Sequence, residues 1–367
     1  MHLHIVSFNV PWPADYGGVI DVFYRLRSLS QQGVRIHLHC YTYGREEAPV
    51  LADLCEEVHY YRRATGMCNQ LKRRPYIVAS RQSDELISRL RQDDYPILLE
   101  GLHNAYILEQ LADGNRHIVL RAHNVEHDYY ASLCHAEKHL WKRLFFALEA
   151  AKLRRYEPVL LKATRVLAIS DNDALHFRSI GCADVRLLPH SHGHREVSSA
   201  TGKGDYMLYQ GDLSTPENEK VALYLLDQLA ENSPLRLVLA GKNPSARLQQ
   251  RTAQCPQATL IANPDNEAMH RLLRDAQVNL LFTHQSTGVK LKLMNALYEG
   301  RHCLANSTMV AGTALGEVCH VADTPQEQRA ALSRLATTDF DANEREKRIR
   351  LLAQLDPSTD ILQMIFC

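Results

Sequence analysis

"VRLLPHSHGHREVSSATGKGDYMLYQG", residues 185–211, decides how this chain is divided. It opens on the strand-like run VRLLP and loses apolar periodicity over 190–205, where polar residues and three glycines intervene. YMLYQG (206–211) then restores it at once. A polar, glycine-bearing break between two periodic series is the mark of a linker. On both sides of it, short apolar runs alternate with longer amphipathic stretches, the pattern of an α/β fold with parallel sheets. Before the break, strands are predicted at 3–8, 34–40, 57–61, 96–101, 117–122, 165–170 and 185–189. After it they are predicted at 206–211, 235–241, 258–262, 278–282, 302–306 and 318–322, with helices over 216–232, 244–254, 265–276 and 287–300.

The expected architecture is two doubly wound, Rossmann-like domains facing each other across a cleft. The boundaries are an N-terminal domain at 1–189, a linker at 190–204, a second domain at 205–340 and C-terminal helices at 341–367. The last stretch, STDILQMIF (358–366), reads as a short amphipathic helix that must pack somewhere, with the N-terminal domain as a candidate surface. A chain of 367 residues exceeds what one core usually supports, in keeping with two domains. Sheets of this kind bind ligands outside the carboxyl ends of their strands.

Composition narrows the function. Lys plus Arg and Asp plus Glu are equal at 42 each, which gives no support to a nucleic-acid partner. Nine cysteines form no C-x-x-C pair and are odd in number, which argues against a disulfide framework or structural zinc and for a reducing, cytoplasmic setting. The start MHLHIVSFNVPWP lacks signal-peptide features, and no run approaches the roughly 18 apolar residues of a membrane span. Attachment to a membrane's inner face would be peripheral. The basic pairs and triplets at 62–63 and 72–74 suit an anionic membrane or a solvated loop.

Three motifs invite a metal reading. RAHNVEHDYY (121–130) places His123, Glu126 and His127 in the H-x-x-E-H spacing of an inverted zinc-protease motif. HIVLRA before it reads as a strand, however, so His123 is expected at the strand exit and the two histidines should not converge. The plainer account makes Asn124 a helix cap, Glu126 and Asp128 favourable first-turn charges, and Tyr129 and Tyr130 the first packed residues. HSHGH (190–194) offers alternate histidines, but in a solvated linker without an accompanying acid. SDNDA (170–174) contains D-x-D, yet Ser170 or Asp171 reads better as a cap after the strand RVLAIS.

Several motifs in order resemble retaining nucleotide-sugar glycosyltransferases of the GT-B fold, specifically glycosyltransferase family four, over nearly the whole chain. PWPADYGGVIDVFYRLRSLSQQGVRIHLHC (11–40) is similar to the family opening, with a Gly-Gly loop leading into a helix. Gly17 and Gly18 there would let backbone amides approach a phosphate or sugar. RAHNVEHDYYASL is similar to the family's T-H-N-x-E segment, and the resemblance gives His123 the active-site position, contacting the donor sugar rather than a metal. LYQGDLSTPENEKVALYLL (208–226) matches the opening of the second domain, with Gly211 near the donor phosphates and Asn218 structural. LVLAGKNPS (237–245) places Lys242 where it could meet phosphate, and Asn263 with Pro264 falls where the family contacts the nucleotide base.

TGVKLKLMNALYEG (287–300) resembles the family's Gly-rich turn, in which amides of Gly288 and Val289 with Lys290 and Lys292 would hold a diphosphate. Many family members carry two glutamates across this turn. Here Thr287 and Asn295 stand at about those positions, Asn295 keeping the capacity to hydrogen-bond a ribose or sugar hydroxyl. The resemblance implies hexose transfer from a nucleotide diphosphate sugar to a saccharide or lipid-linked acceptor with retention, in cell-surface glycan or polysaccharide biosynthesis. It implies no metal and no cofactor beyond the donor itself. The rivals are a silent binding or scaffold protein of the same fold and a nucleotide-sugar epimerase.

Overall fold

The computed structural model describes residues 1–112, 115–137, 139–231, 233–284, 291–356 and 360–367. All thirteen expected strands are present. In the first half they are β1 His2–Ser7, β2 Arg35–Thr42, β3 Glu57–Arg62, β4 Ile97–Glu100, β5 Ile118–Arg121, β6 Arg165–Ala168 and β7 Val185–Leu187. In the second they are β8 Tyr206–Asp212, β9 Arg236–Lys242, β10 Ala258–Ala262, β11 Val278–Leu281, β12 His302–Ala305 and β13 His320–Val321.

The first seven form one sheet in the order β3-β2-β1-β4-β5-β6-β7, and the rest a second in the order β10-β9-β8-β11-β12-β13. The strands pair in parallel, with Ile5 opposite both Leu38 and Leu98 and Leu208 opposite Val238. In each sheet the first strand in sequence lies inside, flanked by later strands running both ways, which is the doubly wound arrangement. Parallel strands buried on both faces carry near-continuous apolar runs, and that is why they stand out in the sequence.

The chain divides into two compact units. One takes in Met1–Gly193 and Asp356–Cys367; among described residues the other spans 194–284 and 291–355. In the first unit, alternation along the strands splits the core between the faces of the sheet: Ile97, Leu99, Val166 and Ala168 on one side, Leu98, Val119 and Leu167 on the other. The terminal helix Ile361–Phe366 buries Ile361 and Ile365 in the latter cluster. Its carbonyls are satisfied from the sheet, His117 Nε2–H donating to Ile365 O at 2.7 Å and Arg165 Nη1 to Met364 O at 2.7 Å. The helix Ala342–Gln354 belongs instead to the second unit, where the buried Arg348 donates to Gly300 O at 2.6 Å and Arg301 O at 2.6 Å.

Gly18 and Gly241 sit at close approaches. An added Cβ on Gly18 would lie 2.8 Å from Cζ of Phe8, and one on Gly241 would lie 1.8 Å from the carbonyl oxygen of Gly211. The second contact draws β8 and β9 together at their carboxyl ends, where ligands are expected.

Candidate functional site

In the first unit a buried ionic cluster stands at the carboxyl ends of β4, β5 and β7. Glu100 and Arg121 are the last residues of adjacent strands and lie in register. Asp21 and Arg25 come from successive turns of the helix Gly17–Gln31. Arg25 bridges the carboxylates, donating through Nη2 to Asp21 Oδ2 and through Nε to Glu100 Oε1 at 2.8 Å. Arg121 Nε donates to Asp21 Oδ2 at 3.2 Å, and its Nη1 to Ala168 O at 3.1 Å. Asp21 also accepts from the Ser191 N–H at 2.7 Å. Burial opposes ionisation of both acids, but the guanidiniums of Arg121 and Arg25 hold Asp21 well below the usual carboxylate range, and Arg25 with His123 holds Glu100 below it.

His123 leaves the end of β5 as expected and is buried in this cluster. Its Nε2 lies 2.9 Å from Glu100 Oε2, a contact that makes Nε2 the donor. Nδ1 faces Asp21 Oδ2 at 3.6 Å and has no hydrogen-bond partner among the described residues. Phe8 packs edge-on against the ring at 5.4 Å. Gly17 and Gly18 are the first two residues of a helix rather than a loop ahead of it. Gly17 O accepts from His190 Nε2–H at 3.0 Å, and Gly18 makes room for Phe8, so both are tied to the surroundings of His123.

The H-x-x-E-H residues part company, as the strand exit requires. Asp21, Glu100 and His123 could form one group of metal-ligand type and His127, Glu157 and His176 another. In the first group two arginines already neutralise the two carboxylates. In the second, Glu157 accepts from His176 Nε2 at 2.8 Å and faces His127 Nδ1 at 3.3 Å.

Three local expectations need correction. The helix Glu126–Ala136 is preceded by Val125, not Asn124, at the cap position, because Asn124 still belongs to the turn leaving β5. Glu126 is no solvated first-turn charge: it is 4% exposed, and burial pushes its carboxyl up to about 7, against the partial relief offered by Arg81 and Asn124. Of the histidines of 190–194, His190 is buried and His194 half-buried, and both have acids beside them, His190 Nδ1 lying 4.0 Å from Asp21 and His194 Nδ1 3.5 Å from Glu299. The SDNDA reading stands, with the Ser170 side chain accepting from the Asp173 N–H at 3.2 Å.

Glu126 carries a prediction of its own. Its folded pKa lies above the unfolded value, so the fold favours the protonated acid and loses stability as pH rises from about 4.5 to about 7. Glu126→Gln removes that loss. Urea titrations should show the variant gaining about 2–3 kcal/mol on wild type between pH 5 and pH 8; a difference independent of pH would show that Glu126 is ionised in the fold.

In the second unit the residues expected to face the donor gather at the carboxyl edge of the sheet. An added Cβ on Gly211 would lie 3.0 Å from Asn218 Nδ2. Asn218 sits in the first turn of the helix Pro216–Leu225, which Thr215 caps by accepting from the Asn218 N–H at 3.4 Å. Asn218 Oδ1 accepts from the Tyr209 hydroxyl at 3.1 Å and from Lys292 Nζ at 3.0 Å, while the Lys292 ammonium lies 4.9 Å over the Tyr209 ring. Gly211 and Lys292 are thus brought together through Asn218. Beside it, Glu217 Oε1 accepts from the Thr283 hydroxyl at 2.9 Å and the His284 N–H at 2.6 Å. Burial raises the Glu217 pKa, but these donors outweigh it and hold the carboxyl below its ordinary range.

Lys242 ends β9 on the same edge and is exposed. Asn263 follows β10 at φ 52°, accepting from the Asn243 N–H at 2.8 Å and donating its own N–H to Gly241 O at 2.8 Å. It braces the loops that the expected base contact would use. Asn295 Oδ1 accepts from His194 Nε2–H at 2.9 Å, and one turn further along the helix Leu291–Glu299 the buried Glu299 meets His270 Nδ1 at 2.6 Å. Gly288, Val289 and Lys290, with Thr287, lie outside the described residues.

No family model matches this chain. A curated Klebsiella pneumoniae protein, described as an uncharacterized 44.6 kDa protein in a cps region, is 24% identical over 330 residues, covering 85% of this chain and 82% of its own length. The apo structure of OtsA aligns over 99% of both chains with a TM-score of 0.62 at 12% identity. The lipopolysaccharide outer core galactosyltransferase WaaB aligns over 100% of this chain and 99% of its own, with a TM-score of 0.61 at 11% identity. Anabaena HepE, in complex with UDP and glucose, aligns over 100% of this chain and 95% of its own, with a TM-score of 0.57 at 12% identity. At such identities the likeness is one of fold. Together with the two parallel sheets and their strand orders, it identifies the chain as a protein of the GT-B fold, built from two Rossmann-like domains.

Proposed function

We propose that this protein is a retaining glycosyltransferase that moves a hexose from a nucleotide diphosphate sugar to a saccharide or lipid-linked acceptor in polysaccharide or cell-surface glycan synthesis. The observation that carries this reading is Lys292, a half-buried cation held by Asn218 and Tyr209 beside Gly211, at the sheet edge where such folds take their ligands. The relative in a cps region and the fold shared with a UDP-bound protein and a galactosyltransferase support it.

In this mechanism the departing diphosphate is stabilised by Lys292, with Lys242, Lys290 and the amides of Gly288 and Val289, so that no metal is needed. Glu100 fixes the His123 ring by accepting from its Nε2–H, and His123 contacts the donor sugar from that position. Epimerase chemistry would need carboxylates free to exchange protons. Among the carboxylates beside His123, Asp21 and Glu100 are each paired with an arginine, which favours transfer.

A nucleotide diphosphate panel tests the reading. A ligand at one hundred times its Kd should add about 2.7 kcal/mol of stability, read as a rise in Tm, and only one or two bases should do so. A Tm that no nucleotide diphosphate or nucleotide sugar moves would overturn the proposal.

A further inference from the structure

The first unit carries an amphipathic surface, uncovered among the described residues, built from two neighbouring segments. The helix Leu140–Tyr156 turns Phe146, Glu149 and Leu153 inward, Phe146 meeting the Tyr130 ring at 6.0 Å. Its outer side exposes Leu140, Trp141, Leu144 and Leu148, with Trp141 84% exposed. Segment 67–76 runs alongside: Lys152 Nζ donates to Gln70 O at 2.7 Å and the Tyr76 N–H to Glu149 at 2.6 Å. That segment adds Met67 and Leu71, the latter 88% exposed. Scattered single apolar residues on a surface are ordinary, but a helical stripe continued by a second segment is not.

Charge identifies the occupant. The two segments hold eight lysines and arginines against a single acid, Glu149, although the whole chain is neutral. Glu149 is itself engaged by Lys152 Nζ at 2.7 Å. Arg73, Arg74, Lys152 and Arg155 line one recess around Glu109, which Arg74 and the Tyr156 hydroxyl already occupy. Arg73 and Arg155 are exposed at its rim. Apolar residues with a tryptophan, flanked by cations, match the headgroup boundary of an anionic bilayer. At 17 residues with five cations, the helix is too short and too charged to cross a membrane.

We infer that this surface docks the protein on anionic phospholipid, with Leu140, Trp141, Leu144, Leu148 and Leu71 entering the headgroup boundary and the Arg73–Arg155 recess receiving lipid phosphate. The inference deepens the transferase reading, since a docked enzyme meets a lipid-linked acceptor where it resides. Vesicle binding is measured without donor or acceptor, so it stands or falls apart from transfer.

Sedimentation with phosphatidylcholine vesicles, with and without one quarter phosphatidylglycerol, tests it. The full chain should bind the anionic vesicles at least tenfold more tightly and release them in high salt. Trp141→Ser/Leu144→Ser and Arg73→Glu/Arg155→Glu, all at exposed positions, should each lose at least tenfold while keeping the wild-type melting temperature. Equal binding to both vesicles, or binding that neither double variant weakens, overturns the inference. So does a dimer in solution that Trp141→Ser/Leu144→Ser dissociates, with no vesicle binding by the wild type.

Discussion

Asp21→Asn should lower the unfolding free energy by about 3–5 kcal/mol, because it leaves two fully buried guanidiniums with one carboxylate between them. Asp21 is wholly buried and accepts from Arg25, Arg121 and the Ser191 N–H; the amide keeps the shape and removes the charge. The loss should depend on pH in a defined sense. A carboxyl held below its unfolded pKa contributes stability that is complete above about pH 4 and is lost as pH falls toward the folded value. Denaturation curves should therefore show a wild-type advantage that is level from pH 5 to 8 and shrinks below about 4. Asp21→Asn/Arg121→Met should recover part of the loss, since Arg121 makes its ion pair with Asp21 whereas Arg25 keeps Glu100. A single variant as stable as wild type would mean that the cluster contributes nothing net to folding.

That cluster shows where the sequence is legible and where it is not. Thirteen strands stand out because buried parallel strands are written as apolar runs, and the fold follows from their order and from the polar break after Pro189. Asp21 and Arg25, by contrast, sit four apart on a helix, the usual spacing of a solvated ion pair. Only tertiary packing turns them under the sheet. A signal did exist. PILLEG and HIVLRA are apolar strands that end on opposite charges, and Glu100 lies in register with Arg121. Two charges closing neighbouring buried strands point to a polar site at that edge.

His123 was legible through its strand exit, but its partner Glu100 depends on sheet order. The histidines of 190–194 misled for the opposite reason, since their polar composition suggests solvent while Asp21, Asn295 and Glu299 draw them in. Gly211 and Lys292 are 81 positions apart, and their meeting at Asn218 follows from the winding of the second sheet rather than from any local pattern.

Lys292→Ala should reduce kcat/KM for transfer by about 10²–10³, the scale of removing one preorganised group that stabilises leaving-group charge. The residue is half-buried and linked to Asn218 and Tyr209, both of which retain their own hydrogen bond at 3.1 Å without it, so the fold should survive. Lys292→Arg keeps the charge but not the compact ammonium that fits over the Tyr209 ring, and it should fall between the two. Release of nucleotide diphosphate measures the rate, and the nucleotide-induced rise in Tm measures binding of the free diphosphate. If Lys292 acts on the departing diphosphate, both readings should fall, kcat by more than the ground-state affinity. If it is only a brace between β8 and the helix Leu291–Glu299, the variant should lose Tm without ligand and keep its kcat. The two outcomes separate a role in the chemistry from a role in the scaffold.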